Sequence, residues 1–231
     1  MLKKWDDLPE FMKTPEVRPY WEILNKKRGQ LLLKRIFDLI VSVILLVVLA
    51  IPMGIISVLI KKDSEGPVFY RQERVTTYGK HFRIHKFRTM VSNADKIGTA
   101  VTVGDDPRIT KMGLKLRGHR LDELPQVLDV IKGDMSFVGT RPEAVKYVEQ
   151  YKPEFNATLL MPAGITSEAS IRYKDEDKLL NAADDVDGVY VNQVLPEKMK
   201  WNLESIRRFR FFREILTMFR TVFAVLGKDY E

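Results

Sequence analysis

Residues 121–126 read LDELPQ and set two carboxylates, Asp122 and Glu123, side by side. Adjacent carboxylates of this kind can perform chemistry. The same residues can also simply begin a helix. Asp is a favoured N-cap, Pro is tolerated in a first turn, and acidic groups suit the positive end of the helix dipole. The stretch DELPQVLDVIKG carries Leu124, Val127, Leu128 and Ile131 on one face and ends in Gly133, a good C′ residue, so the spacing predicts a helix from the pair onward. A helix start does not exclude chemistry, because its unpaired N–H groups and dipole end attract phosphate. Basic residues crowd both flanks. The segment 61–90 holds eight Lys or Arg against three acids, LKLRGHR before the pair adds Lys115, Arg117 and Arg120, and GDMSFVGTRPE after it adds Arg141. Each is an ordinary solvated charge alone; their clustering about one acidic pair points to an anionic ligand.

Composition narrows the classes of partner. The 231 residues are 45% apolar, enough for a sizeable core. A formal charge of +7 favours a polyanion, whether nucleic acid, an anionic membrane surface or a phosphorylated substrate. Cysteine is absent, which excludes disulfides, thiolate nucleophiles and Cys-based zinc sites. Of the histidines His81, His85 and His119, two stand four apart in a basic stretch without acidic ligands, which argues against zinc. The first thirty residues are mixed and charged, so no cleavable leader is expected and the N-terminus is expected in the cytoplasm.

The elements that must position the pair include membrane segments. From Ile36 to Ile60 the only charged residue is Asp38, and at about 1.5 Å per residue this stretch reaches roughly 37 Å, against a bilayer core of about 30 Å. Pro52 removes a backbone donor and leaves the Val48 carbonyl without its helical partner, while Gly54 eases a bend. Lys26, Lys27, Arg28, Lys34 and Arg35 precede the segment and Lys61 and Lys62 follow it, so both ends look cytoplasmic. A re-entrant segment bent at Pro52 and a kinked crossing helix both fit. Near the C-terminus Phe209, Phe212, Leu216, Phe219, Phe223 and Leu226 recur at helical spacing, with Arg207, Arg208, Arg213 and Arg220 largely off the stripe. That pattern suits either an interfacial helix on anionic lipid or a core-facing helix with a basic outer face, and Trp201 suits both. Between Lys61 and Pro196 no long linker or repeat appears, so one compact domain is the default. GPVFYRQERV and KHFRIHKFRTM read as short strands joined by a hairpin around TTYGK.

With these motifs in place, the chain resembles the monotopic phosphoglycosyl transferases, bacterial sugar-phosphate transferases that load the first sugar onto a polyprenyl phosphate. The resemblance is carried, in order, by KRIFDLIVS, GPVFYRQERV, HKFRTM (85–90), DDPRITKMG (105–113), LRGHRLDELPQVLDVIKGDMSFVGTRPE (116–143) and AGIT (163–166). It covers about half the chain and looks like the minimal form, without an added transmembrane bundle. It implies an α-rich mixed α/β fold with a single catalytic domain: an extension at 1–33, a re-entrant helix at 34–61 bent near Pro52, a catalytic domain at 62–200 and a basic amphipathic helix at 201–231.

It further implies that Asp122 attacks the β-phosphate of a UDP-sugar, releases UMP and forms an aspartyl phosphosugar that undecaprenyl phosphate then discharges. An Asp carboxylate is ionised at neutral pH and needs no base, only cancellation of its repulsion from the diphosphate. Mg²⁺ is expected, held by Asp122 and Glu123, and Lys86, Arg88, Arg117 and Arg141 are assigned to phosphate. The implied location is the cytoplasmic face of the bacterial inner membrane, with anionic lipid as a further partner and no nucleic acid. The sugar, the glycan pathway and the oligomeric state are not encoded in any motif. Three features depart from the family pattern: Thr140 replaces the first proline of Pro-Arg-Pro, SEASIRYKDEDKLL replaces a Gly-rich stretch, and Glu214 replaces an Asp. The acidic NAADDVDGVY reads as a solvated loop. The alternative class is a non-enzymatic, membrane-tethered polyanion-binding or scaffolding protein, whose binding would survive replacement of Asp122.

Overall fold

The computed structural model describes residues 2–94, 106–173, 183 and 185–225. Asp105, most of the acidic stretch from 174 to 184, and Leu226 lie outside the described residues. An N-terminal arm buries Leu2, Leu8 and Met12 and leads into helix α1 (Arg18–Asn25). Helix α2 (Arg28–Asp63) is followed by strands β1 (Phe69–Val75) and β2 (His81–Phe87). Helix α3 (Lys111–Gly118), a 3-10 turn at Leu121–Gln126 and helix α4 (Val127–Lys132) form the centre. Strands β3 (Met135–Val138) and β4 (Ala163–Thr166) come next, and helices α5 (Leu195–Arg207) and α6 (Phe211–Val225) close the described chain. The fold is helix-rich with small sheets, as the sequence suggests.

The expected hairpin forms at the expected turn. β1 and β2 pair antiparallel from Phe69↔Phe87 to Val75↔His81, and Tyr78 and Gly79 turn the chain at φ +59° and +77°. β3 and β4 pair in parallel, Met135 with Ala163 and Val138 with Thr166. They lie so close that a Cβ on Gly164 would sit 2.2 Å from the Gly139 nitrogen, which explains a glycine in AGIT.

The helix expected from Asp122 begins instead as the 3-10 turn and becomes α-helical at Val127, because Pro125 has no N–H to give to an α-helical ladder. Gly133 ends α4 at φ +87°, its N–H bonded to the carbonyls of Asp129 and Val130 at 3.1 Å.

Helix α2 starts six residues earlier than read from sequence and stays helical through Pro52. Over its first half polar side chains face inward and apolar ones outward, while Met53, Ile56 and Ile60 near its far end are buried. Lys34, Asp38 and Ser42 are buried, whereas Ile40, Val43, Ile44, Val47, Val48, Ile51 and Ile55 are exposed, Ile51 to 75%. Inward polarity is possible because each group has a partner. Lys34 Nζ bonds the Val138 carbonyl at 2.9 Å and Glu214 at 2.8 Å, and Asp38 accepts from Ser136 Oγ at 2.7 Å. Arg35 donates to the last carbonyls of α4, Val130 and Ile131. The far end of α2 is tied to the same body: Asp63 accepts from the Met112 N–H at 2.9 Å, and Ile60 packs with Phe87 and Leu116.

The C-terminal stripe is divided. Phe209 turns into the core between α5 and α6, 1% exposed, while Phe212, Leu216, Phe219 and Phe223 line the outer face of α6. The inner face of α6 carries Glu214 and Thr217, with Thr217 Oγ1 bonded to Glu168 at 3.0 Å. A core-facing apolar stripe is therefore not what α6 presents.

Candidate active site

The 3-10 turn sits against β2, and chain reversal before it falls on Arg120, a non-glycine residue at φ +52°. Such a conformation costs on the order of 1 kcal/mol or more and persists only where its surroundings enforce it. The Arg120 N–H bonds the Arg117 carbonyl and its own carbonyl receives the Glu123 N–H, so the reversal fixes α3 to the carboxylate pair.

Glu123 is committed to cations. Its Oε1 accepts from Arg141 Nη2 at 2.5 Å and from Lys86 Nζ at 3.2 Å, with the side chain 12% exposed. Burial pushes its carboxyl up, but Arg141 and Lys86 outweigh that and hold it well below the usual carboxylate range. Asp122 has the opposite balance. Burial pushes it above its ordinary value, Lys86 draws it down, Glu123 pushes it up again, and Arg117 draws it down. The two neighbours thus differ in kind: one is locked in ion pairs, and the other is a carboxylate whose charge burial disfavours and Lys86 and Arg117 favour.

Three of the four cations assigned from sequence converge on the pair. Lys86 lies opposite Tyr70 in the hairpin, Arg117 donates through Nε to Thr89 Oγ1 at 2.9 Å, and Arg141 reaches Glu123. Arg117 depends on close packing of α3: a Cβ on Gly113 would lie 2.0 Å from the Thr89 carbonyl oxygen. Arg88 is placed differently. It is buried and donates to the carbonyls of Ser64 at 2.7 Å and Glu65 at 2.5 Å, fastening the hairpin to the end of α2. Thr140 precedes Arg141 at the β3–β4 junction, where the Gly164 N–H bonds its carbonyl at 2.8 Å.

Sequence reading missed the pair that holds β2 on α4. Asp129 accepts from the His85 N–H at 2.8 Å and meets His85 Nδ1 at 2.6 Å, both residues buried. KHFRIHKF reads as a strand, but nothing local marks Asp129 as the partner of His85. It also missed Arg74, whose Nη1 lies 3.5 Å from the Pro142 carbonyl beside Arg141.

Among the described residues no three or more His, Cys, Asp or Glu side chains converge as a metal cage. Mg²⁺ is commonly held by one or two carboxylates and otherwise by substrate phosphates and water. Asp122 and Glu123 fit such a shared arrangement, with Glu123 Oε1 already occupied by two cations.

The sequence pattern of a family described as bacterial sugar transferase matches residues 29–228. A putative undecaprenyl-phosphate N-acetylgalactosaminyl 1-phosphate transferase of Bacillus subtilis is 39% identical over 156 residues, covering 67% of this chain and 85% of that protein. A UDP-glucose:undecaprenyl-phosphate glucose-1-phosphate transferase of Escherichia coli is 36% identical over 197 residues, 83% of this chain and 40% of that protein. A UDP-N-acetylgalactosamine-undecaprenyl-phosphate N-acetylgalactosaminephosphotransferase of Aeromonas hydrophila is 32% identical over 197 residues, 84% and 44%. The chain spans less than half the length of these last two relatives.

Proposed function

The chain belongs to the bacterial sugar transferase family, and we propose that it moves a sugar 1-phosphate from a UDP-sugar to undecaprenyl phosphate and releases UMP. The observation that carries this reading is the difference within the pair: Glu123 is committed to Arg141 and Lys86, while Asp122, whose charge Lys86 and Arg117 favour, is the group to attack.

Asp122 attacks the β-phosphorus without a base, since the attacking form is the carboxylate itself. Lys86 and Arg117 offset its repulsion from the diphosphate, and Arg141 grips a phosphate oxygen while Glu123 keeps Arg141 and Lys86 in register. Asp122 and Glu123 would hold Mg²⁺, which would supply charge neutralisation on the phosphates. Arg88 acts through position, by holding the hairpin to α2.

Membrane attachment belongs to the same proposal. α2 is anchored at both ends to one body while Val47, Val48 and Ile51 in its middle are its most exposed large apolar residues, which supports a segment that enters and leaves on one face with Pro52 near its deepest point. The outward stripe of α6 supports an interfacial helix beside it. Together they support a reading in which the catalytic body lies on the cytoplasmic face of the inner membrane, where a soluble donor meets a lipid phosphate.

The test is UMP release from a panel of UDP-sugars with undecaprenyl phosphate and Mg²⁺, using wild type and Asp122→Asn. Release from one donor, absent in a folded variant, supports the reading. Release that survives in Asp122→Asn contradicts the assigned nucleophile, and polyanion binding without turnover returns the scaffolding class.

A further inference from the structure

The two halves of the proposed transfer share one geometric demand. In the first, an Asp122 Oδ–P bond forms as the bond from that phosphorus to the bridging oxygen breaks, and the electron pair leaves on the phosphate of UMP. In the second, an oxygen of the acceptor phosphate bonds the same phosphorus as the aspartyl bond breaks, returning the pair to Asp122. In-line displacement puts both partners opposite the Asp122 oxygen. The phosphate monoester that leaves and the one that arrives therefore occupy one position, a single P–O–P link beyond the reacting phosphorus.

That position needs cations beyond those beside Asp122, and β1 supplies one. Arg74 Nη1 reaches the Pro142 carbonyl at 3.5 Å, at the turn that carries Arg141, and Nη2 donates to Gln72 Oε1 at 2.5 Å. The next residue fastens the same junction, the Val75 N–H bonding the Glu143 carbonyl at 3.1 Å. Glu143 is the acid on that side, but its carboxylate accepts from Tyr190 at 2.7 Å and pairs with Lys198 at 3.8 Å. Glu123 in turn is shared between Arg141 and Lys86. With Arg117 and Lys198 counted, Arg74, Lys86 and Arg141 belong to a group of five cations set against the three carboxylates Asp122, Glu123 and Glu143, in partly buried surroundings where an added anion relieves the repulsion. Resting on the proposed reaction, we infer that Arg74, with Arg141, forms the single phosphate-monoester position used by departing UMP and by arriving undecaprenyl phosphate.

The test separates the half-reactions. Exchange of labelled UMP into UDP-sugar without acceptor reads the first, and turnover against acceptor concentration reads the second. Arg74→Gln is expected to raise both the UMP concentration for half-maximal exchange and the acceptor KM by about tenfold or more. Arg74→Lys is expected to recover part of both losses, with melting temperature unchanged. A purely structural tie from β1 to Pro142 would lower the melting temperature and leave both constants alone, overturning the inference. A rise in the acceptor constant alone, or in the UMP constant alone, overturns the shared position. If Arg74→Gln fails to fold, the Lys variant decides: parallel rises in both constants support the inference, and unchanged constants refute it. Wild-type exchange that is lost in Asp122→Asn keeps the reaction itself secure whichever way Arg74 falls.

Discussion

At the residue scale the account turns on two carboxylates one peptide apart that carry different electrostatic burdens. Asp122→Asn keeps shape and removes the proposed nucleophile, so turnover is expected to fall by on the order of 10³-fold or more with the fold intact. Glu123→Gln leaves the nucleophile but loosens Arg141 and Lys86, for an expected loss of about 10²-fold, read from kcat/KM. The pH dependence has a definite sign. Protonated Asp122 cannot attack, and burial raises its pKa above the ordinary Asp value, so the acid limb of kcat/KM lies above the range of an exposed Asp. Lys86 lowers that pKa, so Lys86→Met should move the limb to still higher pH; a limb that stays fixed or moves down would contradict the assignment. LDELPQ announced the pair, and its basic flanks announced three of its cations. Arg88 stands only two residues from Lys86, yet it lies just past the end of β2, where strand alternation no longer sets its direction, and its guanidinium goes to the end of α2. Arg74 was invisible because its closeness to Arg141 depends on how β1 meets a turn some 70 residues later.

At the element scale, α3 is set by a glycine. Gly113→Ala would drive a methyl into the Thr89 backbone, so α3 must shift and carry Arg117 away from Thr89. The expected cost is about 1–3 kcal/mol in stability, measured by denaturant unfolding, together with a lower kcat/KM. A variant as stable and active as wild type would show that α3 does not position Arg117. Local signals served well for such elements. The turn at TTYGK, the strands on either side of it and the stop at Gly133 were all legible, because each is set by residues within a few positions. The C-terminal helix was legible as a stripe but not in its division, since Phe209 leaves the stripe to fill a core built from distant segments that include the N-terminal arm.

At the scale of the whole molecule the polarity of two helices is inverted. α2 and α6 turn Lys34, Asp38 and Glu214 inward and display Ile51 and Phe212, the latter 79% exposed. In water this arrangement wastes apolar area; against lipid it is favourable. Phe212→Ser with Phe219→Ser is therefore expected to release protein from anionic vesicles without loss of melting temperature, measured by flotation, because both side chains project away from the core. Unchanged flotation would assign attachment to α2 alone. The charge pattern flanking Ile36–Ile60 signalled a same-side arrangement, whereas the polar partners that make it possible come from β3, α4 and α6 and were not readable from α2 itself. In the proposed reaction all of this serves to hold one carboxylate at the lipid boundary. The most direct measurement is the mass of the Asp122-containing peptide after incubation with the UDP-sugar that supports turnover, without undecaprenyl phosphate. The account predicts a sugar-phosphate adduct on Asp122 that disappears when acceptor is added and never forms in Asp122→Asn; full turnover with no adduct at Asp122 would contradict it.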